Sequence, residues 1–147
     1  MVGNAATPPS DWVRRFAALV RPGGSVLDVA CGSGRHAALF AAAGYRVVAV
    51  DRDLSRLAAA PGVEAVEADL ESGAPWPFAG RAFDGIVGTN YLHRPLFPVL
   101  IEALAPDGVL IWETFAAGNE RYGRPRNPEF LLADGELLKT VEGRLNV

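Results

Sequence analysis

The chain has 147 residues, 50% of them hydrophobic, and a formal net charge of −3 at pH 7. This length supports one domain with a buried core, and the composition excludes global disorder. Because no basic stripe is present, nucleic acid is not an expected partner. The single cysteine, Cys31, excludes an intrachain disulfide and favours a reducing compartment. Residues 1–10 lack the features of a secretion signal, and no apolar run approaches the roughly 20 residues of a membrane span. We therefore expect a soluble cytoplasmic domain without a membrane partner.

Predicted strands and helices alternate along the chain. Ser10 can cap a first helix, which Arg21–Gly24 ends. Five apolar runs of strand length follow: Ser25–Ala30, Arg46–Val50, Val63–Glu67, Phe83–Gly88 and Val109–Glu113. They are nearly continuous in Val, Ile, Leu and Ala, which is typical of parallel strands covered on both faces. Further helices are predicted at Ser33–Ala43, Leu54–Ala60 and Leu96–Leu104. The pattern predicts a doubly wound, mainly parallel α/β sheet, in which ligands bind beyond the carboxyl ends of the strands.

The loop after the first predicted strand is expected to bind a cofactor. Asp28 ends the apolar run, and a turn with Ala30, Gly32 and Gly34 follows. Glycine residues allow the backbone to come close to a ligand. We interpret Asp28 as the partner of a cationic group on that ligand, bound directly or through water. The alternative is a carboxylate that caps a helix or accepts a hydrogen bond within the loop.

Acidic residues also follow the second and third predicted strands. Asp51 can accept both hydroxyls of a ribose, as a carboxylate at this position does in dinucleotide-binding folds. Arg52 can lie over an adenine ring or extend into solvent. Asp69 can accept from an adenine amino group while Leu70 covers the ring, and the alternative is an exposed loop acid.

The segment after the fourth predicted strand is the densest group of chemically able side chains. Asn90 is predicted to contact the cofactor, and His93 is a candidate general base. Tyr91 can orient a nucleophile, and Arg94 can hold an anion. Alternatively, His93 caps the next helix and Tyr91 packs in the core.

A later loop, residues 118–128, combines arginines with glycines and prolines. Arg121, Tyr122 and Arg124 are interpreted as an anion-binding rim for the substrate. Ordinary surface arginines are the alternative interpretation. The loop favours a small anionic substrate, and no metal site is predicted.

The chain resembles class I methyltransferases that use S-adenosylmethionine. Asp28, Gly32, Gly34, Asp51, Asp69 and the turn Leu104–Gly108 carry the resemblance, which extends from Val26 to about Phe115. Within this superfamily it is most similar to small bacterial enzymes of the tellurite-resistance type and to generic small-molecule methyltransferases. The resemblance implies a Rossmann-like fold, S-adenosylmethionine as cofactor, and methyl transfer to a small acceptor. It implies cofactor roles for the glycine loop, Asp51 and Asp69.

The chain departs from this family's pattern after the fifth strand. The family fold adds two antiparallel strands there, whereas about 32 residues follow Phe115 and Leu145–Val147 resembles the start of another strand. We therefore expect residues 1–147 to form one domain that is incomplete at its C-terminal end. An open apolar edge would favour a homodimer or aggregation.

Two other functions remain open. One is a non-catalytic module that binds S-adenosylmethionine. The other is a nicotinamide-dependent oxidoreductase, because Gly32–Ala37 fits the loose Gly-x-Gly-x-x-Ala pattern. Against the oxidoreductase, Asp28 would place a negative charge near the pyrophosphate. In addition, the only lysine is Lys139, so no Tyr-x-x-x-Lys pair occurs.

Overall fold

A computed structural model describes residues 7–147 of the chain. Five strands form one parallel sheet in the order β3-β2-β1-β4-β5. They are β1 (Ser25–Val29), β2 (Arg46–Asp51), β3 (Val63–Glu67), β4 (Phe83–Thr89) and β5 (Leu104–Glu113). Four α-helices accompany them: α1 (Asp11–Phe16), α2 (Arg35–Ala42), α3 (Phe97–Glu102) and α4 (Glu136–Val141). Short 3-10 helices occupy Ala17–Leu19, Arg94–Leu96, Asn119–Arg121 and Pro128–Phe130.

The sheet is covered on both faces, which confirms the predicted doubly wound α/β fold. One face packs against α1 and α2 through side chains that include Val13 and Phe40. The other face packs against α3, where the Phe97 and Trp112 rings meet edge to face with centroids 5.1 Å apart. Burying a side chain such as Phe40 stabilises the fold by about 1.5–3 kcal/mol. The strand order reverses between β1 and β4, and this is where such sheets bind ligands.

The helix predictions are confirmed at three positions. The Ser10 hydroxyl accepts from the Val13 N–H at 3.3 Å and caps α1, as the sequence indicates. Helix α2 lies within the predicted segment Ser33–Ala43, and α3 lies within Leu96–Leu104. None of the helices in residues 7–147 is long and apolar enough to cross a membrane.

The helix predicted at Leu54–Ala60 is wrong. The segment forms a turn, in which the Leu57 N–H donates to the Leu54 carbonyl at 3.0 Å. The Ala58 N–H donates to the Ser33 carbonyl at 3.2 Å and so ties the segment to the glycine loop. The Ala58 N–H thus bonds outside the segment, and this tertiary contact overrides the local preference of the alanines for a helix.

The start of β5 differs from the sequence prediction. The predicted turn at Leu104–Gly108 lies inside β5. It forms an irregularity between two parts of the strand that both pair with β4. Phe83 pairs with Leu104, and Gly85 pairs with Val109, so four residues of β5 bulge opposite one residue of β4. Asp107 adopts a φ of 64° within this bulge.

The C-terminal segment contains a helix instead of a strand. Residues 136–141 form α4, which the sequence analysis does not predict. The predicted strand start at Leu145–Val147 is wrong, because these residues follow the last turn and the Leu145 N–H donates to the Val141 carbonyl at 2.9 Å. Within residues 7–147 the sheet ends at β5.

Candidate functional site

A cavity of about 770 Å³ lies beyond the carboxyl ends of the strands. We refer to it as the larger cavity. The loops that follow all five strands line it, together with Thr7, Pro125 and Phe130. Its volume falls within the range of about 300–1,000 Å³ that is common for small-molecule and cofactor sites. The predicted position of the ligand site is therefore a real concavity.

The glycine loop, residues 30–34, forms one wall of the larger cavity. Three of its residues have positive φ angles: Ala30 at 53°, Gly32 at 55° and Gly34 at 83°. The position of Gly34 also leaves no room for a side chain, because a Cβ there would lie 2.5 Å from Leu57 Cδ1. Ala30 and Gly32 line the cavity, whereas Gly34 begins α2 behind it.

Asp51 at the end of β2 is held in position by two backbone N–H groups. Its Oδ2 accepts from Gly32 N–H at 2.9 Å, and its Oδ1 accepts from Asp53 N–H at 3.1 Å. The carboxylate lines the larger cavity next to the glycine loop. The structure therefore brings together two parts of the motif, Gly32 and Asp51, that are 19 positions apart in the sequence.

Asp28 lies behind the glycine loop and not in the cavity wall. Its side chain is buried, and Oδ2 accepts from the Ala37 N–H in the first turn of α2 at 3.0 Å. Burial raises the pKa of Asp28 to about 7, against the effects of the Ala37 hydrogen bond and the Arg35 charge. This geometry matches the helix-capping alternative, and a contact between Asp28 and a cofactor stays a prediction.

Residues after β3 form another part of the lining of the larger cavity. Asp69 and Leu70 both line it, and Asp69 Oδ1 accepts from the Glu71 N–H at 2.9 Å. Leu70 is half-buried and packs against the core. Arg52 and Asn90 line the same cavity, Asn90 with a positive φ of 55°.

Glu71 joins Tyr91 and His93 in a polar cluster. Tyr91 Oη donates to Glu71 Oε2 at 3.1 Å, and His93 Nδ1 lies 3.3 Å from Glu71 Oε1. Burial, together with the Glu71 carboxylate, raises the pKa of the Tyr91 hydroxyl well above its usual range. The sequence analysis missed Glu71. The only signal for it is an acid two residues after Asp69.

The cluster separates two cavities. Tyr91 lines the larger cavity, whereas His93 lines a second one of about 420 Å³, the smaller cavity. Trp76 and several prolines make the smaller cavity mainly apolar, and residues 68–71 border both cavities. The structure therefore does not bring Tyr91 and His93 to the same space, although Glu71 contacts both.

Arg94 holds the C-terminal segment in place. Its Nε and Nη2 donate to the Glu136 carboxylate at 2.6 and 3.0 Å, and Nη1 donates to the Glu129 carbonyl at 2.9 Å. A further bond joins Nη2 to the Leu131 carbonyl at 2.9 Å. The same pairing lowers the pKa of Glu136. Arg94 lines neither cavity, and most of its donors are already used within the protein.

The arginine loop, residues 118–128, lies at the edge of the larger cavity. Arg121 and Arg124 are exposed, and Tyr122 is 89% exposed. None of these three side chains lines the cavity, whereas Pro125 does. The Asn119 side-chain amide donates to the Pro125 carbonyl at 3.2 Å and stabilises the loop internally.

The segment before α1 also reaches the larger cavity, which the sequence does not indicate. Arg35 Nη1 donates to the Pro8 carbonyl at 2.8 Å, and the Ser10 N–H donates to His36 Nε2 at 3.0 Å. The Ser10 hydroxyl donates to the Glu113 carboxylate. Burial lowers the pKa of His36 to about 4, so the ring is neutral at pH 7 and accepts this bond. No sequence pattern connects residues this far apart.

These features define a class of protein. A doubly wound parallel sheet, a glycine loop after β1 and a carboxylate at the end of β2 are typical of domains that bind a nucleotide-like cofactor. Residues 1–136 match the sequence model of a methyltransferase domain. The chain therefore belongs to that methyltransferase family, as the resemblance predicts.

Solved structures with the same fold are methyltransferases. One is a TehB-like S-adenosylmethionine-dependent methyltransferase from Corynebacterium glutamicum (TM-score 0.64, 21% identity, covering 93% of this chain and 73% of that one). Another is described as a putative methyltransferase of antibiotic biosynthesis from Anabaena variabilis (TM-score 0.59, 20% identity, 71% and 44%). A third is the glycopeptide N-methyltransferase MtfA complexed with S-adenosylhomocysteine (TM-score 0.53, 28% identity, 74% and 55%). The chain thus spans about half the length of the last two structures. No protein with a curated description matches it significantly.

Proposed function

We propose that this chain binds S-adenosylmethionine in the larger cavity and transfers its methyl group to a small acceptor. The observation that carries the proposal is the Asp51 carboxylate, which two backbone N–H groups orient beside a glycine loop at the carboxyl end of β2. Family membership and the S-adenosylhomocysteine complex of the similar glycopeptide N-methyltransferase support the same cofactor.

The residues around the larger cavity fit this cofactor. Asp51 would accept the ribose hydroxyls, while Asp69 and Leu70 would hold the adenine ring. Ala30 and Gly32 present backbone to the amino-acid tail, with no side chain at Gly32 in the way. Arg52 and Asn90 would contact the bound molecule from neighbouring loops.

Alignment and exclusion of water are the main contributions of the protein to methyl transfer. When bound, S-adenosylmethionine supplies an electrophilic methyl group on a sulfonium. Tyr91 lines the larger cavity, and its hydroxyl stays protonated because burial and Glu71 raise its pKa. Tyr91 can therefore position the acceptor but is a poor base. His93 remains a candidate base only for an acceptor that enters from the smaller cavity.

The acceptor is proposed to be small and anionic. The exposed arginines Arg121 and Arg124 lie on the loop whose Pro125 lines the larger cavity, which supports this class of substrate. Arg94 has no direct contact with the anion in this proposal, because its donors bind Glu136 and main-chain carbonyls. Its proposed role is to position residues 129–136 behind the arginine loop.

A non-catalytic S-adenosylmethionine-binding module is the second candidate. Two observations favour it: His93 lies outside the larger cavity, and Arg94 is bound to Glu136. The oxidoreductase alternative receives no support, because the methyltransferase family model matches residues 1–136. For the compartment we propose the cytoplasm, in keeping with a buried cysteine that forms no disulfide.

Calorimetric titration of S-adenosylhomocysteine tests the proposal. We expect the wild-type chain to bind it and not NAD. Asp51→Asn should weaken binding by about tenfold or more, because hydrogen bonds to a charged group contribute about 1.5–3 kcal/mol. Asp53→Asn is the matched control, since Asp53 is an exposed carboxylate two residues away that does not line the cavity.

Three results would contradict the proposal: no binding of S-adenosylhomocysteine by a folded sample, equal binding of NAD, or equal effects of the two substitutions. If S-adenosylhomocysteine binds as expected, an assay for methyl transfer to small acceptors distinguishes an enzyme from a non-catalytic module.

A further inference from the structure

The connection between β2 and β3 brings an arginine to the glycine loop. Because residues 54–60 form a turn and not a helix, the Arg56 side chain folds back toward residue 32. Its Nη2 lies 3.6 Å from the point that a Cβ on Gly32 would occupy. Arg56 lines the larger cavity, and no ion pair of this residue is found within residues 7–147.

The charges around the larger cavity are distributed unevenly. Arg35 and Arg56 lie at the glycine loop after β1, whereas Asp69 and Glu71 follow β3, which β2 separates from β1 in the sheet. Arg35 already donates to the Pro8 carbonyl through Nη1. Asp51, the one lining carboxylate beside the loop, uses both oxygens to accept backbone N–H groups.

Arg52 provides a comparison within the same turn. It lines the same cavity but lies toward Tyr91, whose pKa is raised by burial and by Glu71 and lowered by the Arg52 charge. The Arg56 charge instead acts on Cys31, in the glycine loop, whose pKa is raised mainly by burial. Of the two arginines, Arg56 is the one whose guanidinium reaches Gly32 in the glycine loop.

The nearby carboxylate of Asp53 does not form an ion pair that would occupy the Arg56 guanidinium. Asp53 lies in the same turn, and its pKa is lowered mainly by hydrogen bonds from Ser55, with smaller effects of Arg56 and Arg52. However, Asp53 does not line the cavity and makes no ion pair within 4.0 Å in the described part of the chain. Its hydrogen bond from the Ser55 N–H measures 2.9 Å.

We infer that Arg56 binds the carboxylate on the amino-acid tail of an S-adenosyl ligand and so fixes which end of the ligand faces the glycine loop. The inference rests on the proposed function. A guanidinium is suited to this partner, because its N–H groups match the two oxygens of a carboxylate. The opposite orientation would place the ligand's carboxylate against Asp69 and Glu71.

The test compares two ligands that differ only in the carboxylate. S-adenosylhomocysteine has it, and its decarboxylated analogue keeps the adenosine, the sulfur and the ammonium. We expect Arg56→Ala to weaken binding of S-adenosylhomocysteine by about tenfold, which is the usual size of one charge-assisted hydrogen bond. Binding of the decarboxylated analogue should change by less than about twofold. Arg56→Lys, which keeps the charge, should recover part of the loss.

Arg52→Ala is the matched control and should affect both ligands equally. Melting temperatures of all variants show whether each one folds. The inference is overturned if Arg56→Ala weakens both ligands by the same factor or leaves S-adenosylhomocysteine binding unchanged. The inference is also overturned if Arg52→Ala reduces the preference for S-adenosylhomocysteine over the decarboxylated analogue while Arg56→Ala leaves that preference unchanged. A folded wild-type chain that binds neither ligand would contradict the proposed function itself.

Discussion

Two carboxylates with opposite environments, the buried Asp28 and the partly exposed Asp84, make the stability of this chain depend on pH at the level of single residues. Burial raises the pKa of Asp28 to about 7, whereas an unfolded chain releases that proton near pH 3.9. Between these values the native state holds a proton that the unfolded state has lost. The Asp28 contribution to the free energy of unfolding therefore falls as pH rises, by up to about 1.4 kcal/mol per pH unit.

Asp28→Asn should remove this slope. The amide oxygen can still accept from the Ala37 N–H, so the variant should become more stable relative to the wild type as pH rises from 4 to 7. Thermal or urea unfolding at several pH values measures the difference. A difference that does not change with pH would show that Asp28 titrates normally in the native protein.

Asp84→Asn is a control with the opposite sign. Arg21 and the Ser25 N–H lower the pKa of Asp84, so its contribution is present above its usual pKa and is lost in acid. The destabilisation of that variant should be largest at neutral pH and should disappear as pH falls through the acid range.

Site residues were predictable from the sequence where a residue's type and its position relative to a predicted strand are enough to identify it. Asp51 and Asp69 were identified because each is an acid at or just after the end of a predicted strand, and the structure places both in the lining of the larger cavity. Arg56 and Glu71 were missed, because their positions depend on how loops fold back in space. For Arg94 the sequence indicated a polar role, but Glu136, its ion-pair partner, is 42 residues away.

At the level of elements, the neighbouring strands β4 and β5 fit together through a glycine. A Cβ on Gly88 in β4 would lie 2.2 Å from Trp112 Cζ3, in the neighbouring strand β5. The Trp112 indole in turn donates from Nε1 to the Tyr91 carbonyl at 3.1 Å, directly after β4. The packing of this pair therefore positions the segment that contains Asn90 and Tyr91.

Gly88→Ala should destabilise the protein by about 1–3 kcal/mol, the usual cost of overpacking a core. Urea unfolding measures the loss. The double variant Gly88→Ala/Trp112→Phe should lose less than the sum of the two single variants, because the smaller ring relieves the clash. Additive losses would contradict the contact between Gly88 and Trp112.

Four of the five strands were predictable because buried parallel strands are nearly continuous apolar runs, whereas β3 is a partly exposed edge strand that contains two glutamates. All five were found in the correct order along the chain. The helix predicted at residues 54–60 failed for a local reason. Its alanines favour a helix, but the contacts of Leu57 and Ala58 with the glycine loop are tertiary and leave no periodic signal. Helix α4 was missed because it is short and its apolar positions are partly exposed.

At the level of the whole molecule, the two edges of the sheet differ. The edge strand β3 carries exposed Glu64 and Glu67, and charges of this kind prevent pairing with another chain. The edge strand β5 is mainly apolar from Val109 to Trp112, and within residues 7–147 no strand pairs with its outer side. We therefore propose that two copies associate through β5.

Sedimentation velocity at increasing protein concentration measures this association. The expected result is a shift from monomer to dimer or to larger species. A single monomeric boundary at every concentration would show that the outer edge of β5 does not pair.

An S-adenosyl ligand is proposed to occupy the larger cavity at the carboxyl ends of the strands. The most direct measurement is the ¹H–¹⁵N correlation spectrum of the chain during titration with S-adenosylhomocysteine. We predict that the largest shifts occur at the amides of Gly32, Asp53, Leu70 and Asn90, which lie in the loops after β1, β2, β3 and β4. A well-dispersed spectrum that does not change, or changes confined to α4 and the smaller cavity, would contradict the claim.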